Sequence, residues 1–121
     1  MPSRAIVSRA LADLFRQLAH ADRLRLIEEL RQGERDVTTL GQALALPTSR
    51  VSQHLALLRA HRLVEERRDG RNHVCRLAQP FLADWILEAL PLVDIRTRLE
   101  EAEHIDAARA LWSAPAPNSS H

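Results

Sequence analysis

The fold class this sequence predicts is mainly α with one small β-hairpin. Three observations predict it. Apolar residues recur at helical spacing along most of the chain, a single Asp-Gly pair sits between two short extended runs, and the core-forming residues are aliphatic. Of 121 residues 45% are apolar, enough for one modest core, and the only aromatics are Phe15, Phe81, Trp85 and Trp112. Residues 1–112 are expected to form one domain, with "SAPAPNSSH" (113–121) as a flexible tail.

Each element has its own signal. In the first helix Val7, Leu11, Leu14, Phe15 and Leu18 form a stripe at one-turn spacing. A second helix, from Asp22 to Gln32, turns Leu26, Ile27 and Leu30 inward and stops at Gly33. "DVTTLGQALAL" reads as a short third helix capped by Asp36 or Thr38, with Leu40, Ala43 and Leu44 inward. Pro47 is a good first-turn residue, so the fourth helix starts there and ends around His61. In "LVEERRDGRNHVCRL" two strands flank Asp69-Gly70, a strong hairpin signal, and Arg67, Arg68 and Arg71 crowd the tip. A last helical stretch runs from Pro80 to Trp112, and Pro91 should kink or break it. Four helices, a hairpin and a last helix, with a short turn before the fourth, describe a winged helix-turn-helix.

Charge is divided along the chain. Residues 1–76 hold 14 Arg against 9 acids, net +5, whereas residues 77–121 hold 3 Arg against 7 acids, net −4. That asymmetry suggests a polyanion partner for the first part only. All of the basic residues are Arg, the better bidentate phosphate ligand. No apolar run approaches a membrane span, and no secretory leader opens the chain, so no membrane partner is expected. A single cysteine excludes an intrachain disulfide framework and fits a cytoplasmic location.

The polar face of the fourth helix carries the functional reading. "LPTSRVSQHLALLRAHRLV" contains no acid. On a helical wheel Val51, Leu55 and Leu58 form the buried stripe, with Ser49, Gln53, Ala56 and Ala60 opposite, Arg50 on one flank and Thr48 and Ser52 on the other. Short, uncharged or positive side chains suit close approach to a DNA groove. Gln pairs with adenine, Arg with guanine, and Ser and Thr donate to phosphates. His54 borders the stripe, which leaves two readings open: a boundary histidine bonded to a neighbouring helix, or a DNA contact. The arginines of the hairpin tip can reach a minor groove or backbone, with Glu65, Glu66 and Asp69 partly offsetting them.

With these features assembled, "ADRLRLIEEL", "VSQHLALLRAHRLV" and "RRDGRNHVCRL" resemble the ArsR/SmtB family of bacterial winged helix-turn-helix repressors over roughly residues 11–90. The resemblance implies a homodimer built from the first and last helices, bound to a two-fold symmetric operator in double-stranded DNA. Carried onto this chain, it makes Thr48, Ser49, Arg50, Ser52, Gln53 and His54 the DNA-facing set, with Arg68 and Arg71 from the wing.

The family's effector chemistry does not carry over. Asp36 and Thr38 stand where its Cys-x-Cys pair would be, and no Asp-x-His pair opens the last helix, where Asp84 precedes Trp85-Ile86 and Asp94 precedes Ile95-Arg96. A dithiol switch needs two cysteines; Cys75 is expected to be a small buried hydrophobe under the wing. The candidate ligands that remain are His104 with Glu100, one turn apart, for a divalent ion such as Ni²⁺ or Zn²⁺. No ion is needed for the fold, and His20 is expected to be structural. The sequence shows no phosphate-binding glycine loop, His-Glu-x-x-His helix or nucleophile set beside a base, so no enzyme is expected. The rival reading is a dimerisation module that does not bind specific DNA, and the acid-free fourth helix argues against it.

Overall fold

The computed structural model describes residues 3–93, 106 and 109–113. They divide into two compact units, one ending at Gln79 and the other beginning at Pro80. The first contains α1 (Arg4–Leu18), α2 (Ala21–Leu30), β1 (Arg35–Asp36), α3 (Val37–Leu44), α4 (Thr48–Ala60), β2 (Val64–Asp69) and β3 (Asn72–Leu77). The second contains α5 (Phe81–Glu88) and a 3₁₀ turn at Leu90–Leu92. The architecture is a winged helix-turn-helix.

Side chains cap the first three helices. Ser3 accepts from the Ile6 N–H, His20 Nδ1 from the Asp22 N–H, and Asp36 from the Thr39 N–H at 2.7 Å. Of the two caps open for α3, the structure uses Asp36. At its other end Ala45 adopts the left-handed conformation, φ 55°, and Leu46 N–H closes back on Gly41 O at 3.0 Å. This close approach favours glycine at 41, because a Cβ there would stand 3.0 Å from Leu46 O. Gly41 is accordingly buried on the inner face, and Ala43, expected there, is exposed.

Leu26, Ile27, Leu40, Val51, Leu58 and Val64 are essentially inaccessible to solvent and form the heart of the first unit, with Leu30, Leu44, Leu55, Cys75 and Leu77 around them. Burying each large aliphatic side chain stabilises the fold by about 1.5–3 kcal/mol. The stripe of α1 behaves differently. Leu18 is buried, but Val7, Leu11 and Phe15 are each nearly half exposed, and Ile6 is more than half exposed.

The wing has three strands rather than two, in the order β1-β3-β2. Arg35 and Asp36 pair antiparallel with Cys75 and Val74, and two residues are too short a strand to show any alternation in sequence. In the hairpin Asp69 pairs with Asn72, so the two-residue loop is Gly70-Arg71, one place later than the Asp69-Gly70 pair suggested. Gly70 supplies the positive φ, 64°, at the first loop position. Beyond Pro80, Pro91 lies in the 3₁₀ turn that ends the α5 segment, in agreement with the expected break. Among the described residues no helix is long and apolar enough to cross a membrane.

Candidate nucleic-acid interface

Val51, Leu55 and Leu58 anchor α4 to the core. Its opposite surface exposes Thr48, Ser49, Arg50, Ser52 and Gln53, and the wing exposes Arg68 and Arg71. Among the described residues, none of these seven side chains makes a hydrogen bond or ion pair within the protein. Their donors are free for an external partner. Pro47 precedes α4 without a side-chain cap, and since the Arg50 N–H already donates to Pro47 O, the Thr48 and Ser49 N–H groups are the ones open to an anion. A cleft of about 430 Å³ separates this surface from the wing, bordered by Thr48, Ser52, Arg59, Glu66, Arg71 and His73.

Three acids in and beside the wing are engaged in ion pairs, while Asp69 stays at the hairpin tip without one among the described residues. Glu66 pairs with Arg59 from the last turn of α4 and with His73 Nδ1 at 2.7 Å, which fixes the wing against α4. Glu65 pairs with Arg76 at 3.0 Å, and Glu34 holds Arg67 at 2.9 Å. Arg67 lowers the Glu34 carboxyl pKa by hydrogen bonding to it. Arg67 is thereby removed from the cationic tip that the sequence suggested, while Arg68 and Arg71 make no ion pair among the described residues and Asp69 offsets part of their charge.

His54 stands apart from the other α4 residues proposed to face DNA. It is buried, 8% exposed, and points toward the start of α2. Arg23 Nε donates to its Nδ1 at 3.3 Å, its Nε2 lies 3.8 Å from Asp22 Oδ2, and its ring meets that of His20 with centroids 4.5 Å apart. Burial chiefly, then the charges of His20 and Arg23, lower its pKa. Of the two readings left open by the sequence, this conformation matches the boundary histidine, because a ring turned into the protein cannot touch a groove.

Two arginines that position the site carried no distinctive sequence signal. Arg23 links α2 to α4 through His54, and Arg25 donates to Ala43 O at 3.2 Å and Leu44 O at 3.4 Å. These are C-terminal carbonyls of α3 that have no helical partner, so Arg25 holds the turn that presents α4. Cys75 is buried, 1% exposed, and its thiol pKa is pushed up to about 11, chiefly by burial. Glu100 and His104, the expected metal ligands, lie outside the described residues.

Comparison with known proteins agrees with this geometry. The model for bacterial regulatory proteins of the arsR family matches residues 20–66. The HTH-type transcriptional repressor SmtB of Mycobacterium tuberculosis is 39% identical over 89 residues, which are 74% of this chain and 65% of that protein. The chain thus spans just under two thirds of that relative's length. The HTH-type transcriptional regulator NmtR of the same organism is 35% identical over 92 residues, 74% of this chain and 77% of that protein. Among solved structures, the homodimeric winged helix-turn-helix DNA-binding domain of Mb0332 from Mycobacterium bovis superposes with a TM-score of 0.67 at 27% identity. It covers 81% of this chain and 92% of that one.

Proposed function

The chain belongs to the arsR family of bacterial regulatory proteins, and on that premise we propose that it is a sequence-specific DNA-binding transcriptional regulator, acting as a repressor. The observation that carries the reading is the set of uncommitted donors on one surface. Thr48, Ser49, Arg50, Ser52 and Gln53 on α4 enter a major groove, Arg50 and Gln53 reading bases and the hydroxyls contacting phosphate. Arg68 and Arg71 contact the adjoining backbone or minor groove. His54 acts from behind, holding α4 in place.

The working form is a homodimer. Ile6, Val7, Leu11 and Phe15 give α1 an exposed apolar face that a second copy would cover, and the Mycobacterium bovis relative is homodimeric. Two copies of α4 then address half-sites one helical turn apart, about 34–36 Å. The compartment is the cytoplasm, where the DNA lies. An effector that releases the DNA completes the reading.

The test is a mobility-shift assay of the purified chain with the DNA upstream of its own gene, against an unrelated duplex of equal length. Retardation of the upstream DNA at protein concentrations that leave the unrelated duplex free is expected. Equal retardation of both, or of neither, would favour the rival dimerisation module.

A further inference from the structure

At the start of α2, His20 and Asp22 face His54, which projects from the middle of α4. One ligand atom from each of the three lies within 4.8 Å of the other two. Two neutral imidazoles and a carboxylate are a donor set suited to borderline divalent ions, Zn²⁺ among them, with water completing the shell. Bonds of about 2.1 Å in a tetrahedral shell place ligand atoms roughly 3.4 Å apart, so side-chain rotation of about an ångström closes the site. His20 is exposed, Asp22 half-buried and His54 buried, which gives an ion a way in and a closed inner wall.

Both rings already use Nδ1 as an acceptor, from the Asp22 N–H at 3.1 Å and from Arg23 Nε at 3.3 Å. An ion must take one nitrogen lone pair from each ring. Bound at Nε2, it forces the ring proton onto Nδ1; bound at Nδ1, it occupies the accepting lone pair itself. On either nitrogen, the ion displaces both hydrogen bonds. The Arg23 guanidinium, whose charge opposes a cation here, has a second anchor at Gln17 O, 3.2 Å away. The hydrogen-bonded and ion-bound forms are therefore mutually exclusive states of one junction.

We propose that His20, Asp22 and His54 form a binding site for a Zn²⁺-class divalent ion, which replaces the Arg23–His54 hydrogen bond and joins the N-terminus of α2 to α4. Because α4 also carries Arg50 and Gln53, ion occupancy and DNA affinity are coupled. That consequence rests on the DNA reading, whereas ion binding does not.

Titration of the full-length chain with Co²⁺, followed by visible absorption, tests the site. Saturating ligand-field bands that Zn²⁺ abolishes are expected. His20→Gln and Asp22→Asn, both outside the core, should each weaken binding at least tenfold with an unchanged circular dichroism spectrum, and His104→Ala should leave it as in the wild type. The proposal is overturned if no bands appear, if both variants titrate like the wild type, or if His104→Ala alone abolishes binding. Operator affinity, measured with and without Zn²⁺, is a separate readout. A chain that binds Co²⁺ here but no DNA would contradict the DNA reading and leave the ion site standing.

Discussion

Arg23 donates to the ring of His54 at 3.3 Å, and this bond joins the first turn of α2 to the middle of α4. It makes the position of α4 depend on a residue outside the helix-turn-helix. Removing the ring leaves Arg23 Nε without that acceptor and opens a gap behind α4. His54→Ala should destabilise the chain by about 1–3 kcal/mol, and His54→Gln, which retains an acceptor, by less. Denaturant midpoints measured in the presence of a chelator check this; two variants as stable as the wild type would contradict it.

The wing should act through charge alone. Arg68→Ala and Arg71→Ala each remove a cation that has no ion-pair partner among the described residues. Each should weaken binding to all duplexes alike and reduce the slope of log K against log salt by about one per lost phosphate contact, counted per subunit. Fluorescence anisotropy titrations at several salt concentrations measure it. A loss confined to one DNA sequence would instead place these residues on bases.

The turn before α4 leaves little room for a side chain at position 41. In Gly41→Ala the new Cβ would press on Leu46 O, an atom of the backbone that cannot rotate away. A cost of about 1–3 kcal/mol is expected, comparable to overpacking elsewhere in a core. A thermal melt tests it, and an unchanged midpoint would show that the turn relaxes freely.

Cys75 should be inert. Its thiol pKa of about 11 in the folded chain lies above the ordinary value of 9.0, so the folded protein holds this proton at pH values where the unfolded chain has lost it. The thiol's contribution to stability is fully present below pH 9 and is lost as pH rises through about 11. Iodoacetamide at pH 8 should alkylate the folded chain about a hundredfold more slowly than the urea-unfolded chain. Equal rates would contradict the burial of the thiol.

Much of this was legible in the sequence because helical period and turn chemistry are local. Val51, Leu55 and Leu58 were identified as the buried stripe of α4 from spacing alone, and Pro91 marked a break that the structure contains. The misses are tertiary. Arg35 and Asp36 form a strand only because β3 lies beside them, and the hairpin loop shifted by one residue because pairing of Asp69 with Asn72 outweighs the preference of an Asp-Gly pair. Gly41 rather than Ala43 faces inward, where the close approach of Leu46 O favours a residue without a side chain. For His54 the wheel showed a boundary position, but its partners His20, Asp22 and Arg23 come from another helix and have no local signature. In sequence Arg67 is equivalent to Arg68, and only the fold brings Glu34 to it.

The central claim is that the exposed face of α4 reads bases. The most direct measurement is the affinity of the wild type, Arg50→Ala and Gln53→Ala for operator DNA and for a scrambled duplex of the same length at one salt concentration. The wild type should prefer the operator by about a thousandfold or more. Each substitution should lower operator affinity by about 1–3 kcal/mol, and Gln53→Ala should leave affinity for the scrambled duplex unchanged. Equal affinity of the wild type for the two duplexes, or substitutions without effect on the operator, would contradict it.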